Sequence, residues 1–386
     1  MTDGADYGGG VRSGRTILKE RLRSVLDSRE AVAFVHAGPT RDPDLAYCLN
    51  ADGELEKSAV ADAETRSAAV AFDGEQWDRE TGDSPSHPGH RLADSLADRF
   101  TAGTVLTPAG IPHDAALFLE NRGFSLASTD AIARARATKT PAERERIASA
   151  QEAASAGMKR AAAVLADAAV EDGRLLVDGA TVTVDRLRRE IDEAIVAAGG
   201  FPAGNTSIDG GSADGEDRHS GGSGSVQAGE SVVIRAGEPI VVSVAPRGPE
   251  RYHGGLSRTF VVAGEGGRER RAHVAVTQAL RSSRALLTAD SASVTAVEAD
   301  LEAEIRAFGE DGAVETRVSG VGLEPRERPS AGEETVDVGS VVRLDAAAQL
   351  ADGAWVRVAD LLAKTEEGVN YLAAPSRSLE PRNVLE

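Results

Sequence analysis

From Thr140 onward the chain repeats one order of signals, two helices and then strands, twice over. Thr140 can cap a helix, Pro141 suits its first turn and Glu143 completes a capping box. Ile147, Ala150, Ala154, Ala161 and Leu165 then mark one helical face. "VTVDRLRREIDEAIVAAGG" predicts a second helix, with Leu187, Ile191 and Ile195 on its stripe and Gly199–Gly200 to stop it. After a Gly/Ser/Asp-rich stretch and a strand pair, "RERRAHVAVTQALRSSRALL" and "VTAVEADLEAEIRAFG" predict two more helices, followed by more strands. In the latter, Val297, Leu301, Ile305 and Phe308 fall on one side, which reads as core packing. A doubled order of this kind predicts two α/β halves that share one curved sheet.

Ahead of Thr140 the pattern changes. "TILKERLRSVL" has helical spacing, and "AVAFVHAG", "SAAVAFDG" and "GTVLTP" are short apolar runs of strand type. The stretch from Gly74 to Phe100 reads as a loop passing into a helix, and "HDAALFLENRGF" as a helix closed by Gly123. The expected organisation is therefore a small α/β domain over residues 1–137 and a second domain over 138–386, in a chain of α/β (α+β) class. A length of 386 residues fits two cores.

Charge narrows the partners. A net charge of -19 repels nucleic acid and anionic membrane surfaces, and no basic run offsets it. No apolar stretch has the length of a membrane span, and the first residues lack the apolar centre of a signal peptide, so a cytoplasmic protein is expected. The acid excess, the scarcity of Lys beside Arg and the small apolar residues resemble proteins of salt-loving archaea. Cys48 is the single cysteine, which excludes an intrachain disulfide and a thiolate metal cluster, and its apolar neighbours place it in a core.

Four stretches, in order, carry a resemblance. They are "TKTPAERERIASAQEAA", "AGEPIVVSVAPRGPERYHGGLSRTF", "VSGVGLEPRERP" and "VGSVVRLDAAAQLADGAWVRVADLLAKTEEG". They resemble the pita-bread metallopeptidases of the Xaa-Pro aminopeptidase, prolidase and creatinase branch, and residues before 138 look like that branch's N-terminal domain. The resemblance implies a curved antiparallel sheet, a homodimer, and two divalent ions such as Mn, Co or Zn, held by two aspartates, a histidine and two glutamates to activate a bridging water. Matched residue by residue, those positions hold Ser243, Gly255, Ser319, Asp345 and Ala359. One carboxylate and two hydroxyls do not neutralise a dinuclear centre, so no metal and no other cofactor is expected.

The histidines point the same way, since none follows His273. The family's second imidazole corresponds to Arg326, which cannot act as a base. Its guanidinium could take a metal's electrostatic role and hold Glu327 or Asp345, or form only a surface salt bridge. His219, in the Gly-rich stretch, falls roughly where the family's substrate-binding histidine enters, although Glu216 could be the counterpart. His219 could serve as acid and base, as the histidine of the metal-free creatinase does, or simply be solvated. His253, Arg326 and Glu327 are the candidate ligand-binding residues. The expected function is a metal-free binding or regulatory protein that has lost peptidase activity and takes a peptide or small molecule. The alternatives are an active metallo-aminopeptidase on Xaa-Pro peptides and a metal-free hydrolase of the creatinase kind.

Overall fold

The computed structural model describes residues 14–51, 66–82, 86–210, 232–289 and 291–385. The chain divides into two compact units, Met1–Arg136 and Ala137–Glu386.

The first unit is built on a five-stranded sheet of β1 (Ala31–Pro39), β2 (Ser67–Phe72), β3 (Trp77–Thr81), β4 (Gly103–Thr107) and β5 (Phe124–Ser128), in the order β3-β2-β1-β4-β5. β1, β4 and β5 run parallel, while β2 and β3 are antiparallel to their neighbours. Helices α1 (Gly14–Ser28), α2 (Pro43–Ala51), α3 (Pro88–Arg99), α4 (His113–Glu120) and α5 (Ala131–Ala137) complete it. The expected apolar faces are buried, with Leu18, Leu22 and Leu26 on α1 and Leu92 and Leu96 on α3. Cys48 is buried on α2, and burial raises its thiol pKa well above the ordinary range. β3 departs from the loop expected after Gly74. It forms because Trp77 stacks on Phe72, their ring centroids 5.0 Å apart, at the start of a hairpin.

The second unit opens with α6 (Pro141–Ala166). Its capping box is complete: Thr140 Oγ1 accepts from the Glu143 N–H, and the Glu143 carboxylate accepts from the Thr140 N–H. Such a cap is worth about 1 kcal/mol. A small ribbon follows, β6 (Ala169–Glu171), β7 (Arg174–Val177) and β8 (Ala180–Thr181), then α7 (Val184–Ala197), β9 (Thr206–Asp209), β10 (Ile240–Val244) and β11 (Leu256–Phe260). The second round comprises α8 (Arg268–Ala289), β12 (Ala292–Ser293), α9 (Val294–Ala307), β13 (Val314–Gly320), β14 (Thr335–Val336), β15 (Val341–Gln349), β16 (Trp355–Thr365) and β17 (Gly368–Tyr371).

One seven-stranded antiparallel sheet, β13-β15-β16-β11-β10-β9 with β17 beside β16, joins the two rounds. This curled half-barrel is the pita-bread architecture. One face of the sheet is apolar and covered by both helix pairs. Val242, Val244, Leu256 and Phe260 pack under α6 and α7, and Val342, Leu344, Ala346, Val356, Val358 and Leu362 pack under α8 and α9. The α6 and α7 backbones come so close that a Cβ on Gly157 would lie 2.8 Å from Ile195 Cγ1. Phe308 departs from its expected place in the core. It caps the end of α9 and is 38% exposed, because the helix stops before the stripe reaches it.

Candidate functional site

Strand pairing defines the site. Across the sheet, Ser243 on β10 faces Ser257 on β11, Ser257 faces Ala359 on β16, Ala359 faces Asp345 on β15, and Asp345 faces Arg317 on β13. Directly opposed residues present their side chains on the same face. This row therefore lies on the face turned away from the four helices. Two residues along, Ser319 on β13 faces Arg343 on β15, which faces Leu361 on β16, and the alternation returns them to that same face. Gly255, two residues before Ser257, enters at the edge of the row.

A guanidinium stands at the centre. Arg343 Nη2 donates to Ser257 Oγ at 2.7 Å and to Asp345 Oδ2 at 3.0 Å. Ser257 Oγ in turn shares a 2.7 Å hydrogen bond with Ser243 Oγ. The second oxygen of Asp345 accepts from Arg357 Nη1 at 3.3 Å, and Arg357 also bonds Glu315. Both oxygens of the one carboxylate are thus taken by arginines. A Cβ built on Gly255 would lie 3.3 Å from Arg343 Nη1, so the second guanidinium nitrogen points at the place where a side chain on residue 255 would begin.

Helix α6 supplies a further polar group. The Gly255 N–H donates to Gln151 Oε1 at 2.7 Å, with Gln151 fully buried. The approach is close because Gly254 has no side chain; a Cβ there would lie 2.6 Å from the Ala150 carbonyl oxygen. Gln151 Nε2 and Arg343 Nε are buried and have no hydrogen-bond partner among the described residues. Arg326 lies within electrostatic reach of Arg317, Arg343, Arg357 and Asp345. Burial is the main cause that holds its pKa below the usual arginine range, the three arginines add to it, and Asp345 opposes them.

The expected site residues divide. Ser243, Gly255, Ser319, Asp345 and Ala359 share the row and its flank, with Ser319, Asp345 and Ala359 buried. Contrary to expectation, Arg326 does not hold Asp345 directly: Arg343 and Arg357 make those contacts, and Arg326 acts on Asp345 only through charge. Glu327 is not an open ligand-binding group. Its Oε1 is 2.8 Å from Lys139 Nζ, and both side chains are almost wholly buried. A Cβ on Gly322 would fall 2.3 Å from that oxygen. His253 is buried too, its Nδ1 3.3 Å from the Ala245 carbonyl oxygen. Burial lowers the imidazole's pKa, with Arg247 and Arg251 adding to this and the Ala245 bond and Glu327 working against it. His219 and Glu216 lie outside the described residues.

The donor set does not suit a pair of divalent ions. Hard cations take several anionic oxygens, whereas here one carboxylate is held by two guanidiniums, and two positive charges a few ångströms from a third would repel it strongly. Among the described residues, no group of three or more His, Cys, Asp or Glu is placed to hold a metal. Arg343 and Gln151 escaped the sequence reading. A signal for Arg343 was present, a lone cation two residues before Asp345 in an apolar strand and hence on the same face.

Fold and row together define a pita-bread protein of the metallopeptidase type. Residues 145–366 match the model of metallopeptidase family M24, and the chain belongs to that family. No curated protein sequence matches it. Among solved structures, the prolidase from Pyrococcus furiosus superposes with a TM-score of 0.67 at 18% identity, covering 92% of this chain and all of its own. The Xaa-Pro dipeptidase from Bacillus anthracis gives 0.69 at 14%, covering 95% and 99%. The N-terminal domain of the FACT complex subunit SPT16 from chickpea gives 0.68 at 14%, covering 97% and 99%. At these identities the likeness is one of fold. No described helix is long and apolar enough to cross a membrane.

Proposed function

We propose that this M24-family chain is a metal-free binding protein that has lost peptidase activity, and that its sheet-face site takes the anionic group of a peptide or small molecule. The observation that carries this reading is the Arg343 guanidinium, bonded to Ser257 and Asp345 and directed at the Gly255 position. A fixed cation there supplies the positive charge that metal ions supply elsewhere in the family, without the Lewis acidity that activates a water. The site's arginines and the unpartnered Gln151 and Arg343 N–H groups offer donors that suit an anion. Among the structural neighbours, the same fold serves a subunit of a complex as well as dipeptidases. The test is turnover of an Xaa-Pro dipeptide by protein purified in molar salt, with and without added Mn, beside elemental analysis for bound metal. The reading expects no turnover and no stoichiometric metal. Metal-dependent cleavage that tracks metal content would sink it.

A further inference from the structure

The opposite, helix-covered side of the sheet holds a cavity of about 470 Å³ that the family's site does not use. One wall is a stripe along α8, His273, Thr277 and Arg281, spaced by four residues so that they share a face. The other wall is the segment 372–378, and the floor is the ion pair of Arg258 and Asp360. Three guanidiniums, Arg258, Arg281 and Arg377, meet one carboxylate, Asp360, so the lining is cationic in a chain whose net charge is -19.

Two polar atoms on the stripe are left over. His273 Nε2 and Thr277 Oγ1 are buried and have no hydrogen-bond partner among the described residues. The His273 ring bonds the backbone of Arg377, and since Nε2 has no partner, the bonded nitrogen is Nδ1, donating to the carbonyl. In the neutral ring Nε2 is then an acceptor and calls for a donor. Burial, the largest cause, keeps the ring's pKa low, and Arg258 and Arg377 add to the effect. Both oxygens of Asp360 are taken, by Arg258 Nη2 and by Arg377 Nε at 2.6 Å, while the Arg377 guanidinium, 4.5 Å from the centre of the Tyr371 ring, still lines the cavity. Arg281 is exposed and makes no such bond among the described residues.

We infer that this cavity binds a phosphate group, with Arg281 and Arg377 facing its anionic oxygens and His273 Nε2 and Thr277 Oγ1 meeting its hydroxyl and a further oxygen. Inorganic phosphate joins negative charge to a hydroxyl donor at neutral pH and has four oxygens for the four groups Arg281, Arg377, His273 and Thr277, whereas bicarbonate, which also joins charge to a donor, has three. A carboxylate or sulfate offers acceptors only and would leave Nε2 unpaired, at a cost typical of a lost buried hydrogen bond. The depression beyond His273 is lined by three carboxylates, Glu265, Glu269 and Glu380, against one cation, Arg270, so its charge favours an anion on the arginine side.

The experiment is calorimetric titration of the full chain at pH 7 in molar chloride with inorganic phosphate, glycerol phosphate and sulfate. Phosphate is expected to bind about tenfold more tightly than sulfate, the factor for one hydrogen bond of ordinary charged strength. Arg281→Glu is expected to abolish binding and Thr277→Val to weaken it several-fold. Glycerol phosphate, whose phosphoryl group has mostly lost its proton at pH 7, is expected to bind more weakly than inorganic phosphate, and tighter binding of the ester would overturn the inference. Equal binding of sulfate and phosphate, or unchanged phosphate binding by Arg281→Glu, would overturn the inference. So would binding lost on Arg343→Met and kept in Arg281→Glu, which would move the anion to the opposite face. Because the two faces respond to different variants, this inference can fail without touching the metal-free reading of Arg343.

Discussion

Asp345 and Asp360 sit on adjacent strands, each between two arginines, on opposite faces of one sheet. On the helix side the arrangement is saturated. Arg258 donates from Nη2 to Asp360 at 2.7 Å and to the Pro375 carbonyl oxygen at 3.0 Å, from Nη1 to the carbonyl oxygens of Ser257 and Ala359, and from Nε to that of Ser376. A buried charge with every donor used is a structural strut. On the other side Arg343 grips Asp345 and Ser257 but its Nε has no partner among the described residues, and Arg326 lies in a field of like charge. The same pair of residue types thus has its hydrogen bonds complete on one face and incomplete on the other, and the open donors on the second face are what the proposed ligand would meet.

The largest effect should come from breaking the saturated side. Asp360→Asn leaves Arg258 buried with no carboxylate, and should cost about 3–5 kcal/mol of unfolding free energy, read from denaturant midpoints in molar salt. Asp345→Asn, where Arg343 and Arg357 are partly open to solvent, should cost less than half as much. Equal losses would erase the distinction between the faces.

The second prediction rebuilds the metal site. Ser243→Asp with Gly255→Asp should bind no Mn, because the new carboxylate at residue 255 starts beside Arg343 Nη1 and will pair with it. Completing the set with Ser319→His, Asp345→Glu and Ala359→Glu should bind Mn only after Arg343→Met removes the resident cation, a strongly non-additive outcome. Calorimetry of the series checks it. Binding by the double variant alone would mean that Arg343 does not hold the site against metal.

The row's membership is legible in the sequence only through the resemblance of four stretches, and strand register then shows which of those residues share a face. Ser243, Gly255, Ser319, Asp345 and Ala359 were placed by comparison of motifs, and the capping box at Thr140 was read directly. What linear order did not show was reach. Motif comparison points to Arg326, which stands at a histidine position, yet Arg343, on the adjacent strand from Ser319, has the side chain that crosses to Ser257. Glu327 adjoins Arg326 in sequence, while its partner Lys139 lies at the far start of the unit. β3 was hidden among turn residues, because its stability comes from Trp77 meeting Phe72 rather than from alternation.

A smaller effect separates the faces by pH. His253, near the hairpin, and His273, on the helix side, both have folded pKa values below the ordinary 6.5, with burial the main cause. The unfolded chain therefore takes up protons first as pH falls, so stability declines below about pH 6.5, with a slope of up to about 1.4 kcal/mol per pH unit for each histidine. His253→Asn keeps a donor for the Ala245 carbonyl and should flatten that decline. Denaturant midpoints at pH 7.5 and pH 5.5 give the comparison, and an unchanged slope would show that His253 is protonated in the folded state.

The most direct test of the central claim is a Mn titration of the unmodified chain by calorimetry in molar chloride. If the guanidinium of Arg343 fills the electrostatic place of the family's metals, no heat of site binding should appear up to millimolar Mn. Saturable binding of two ions per chain would contradict the account.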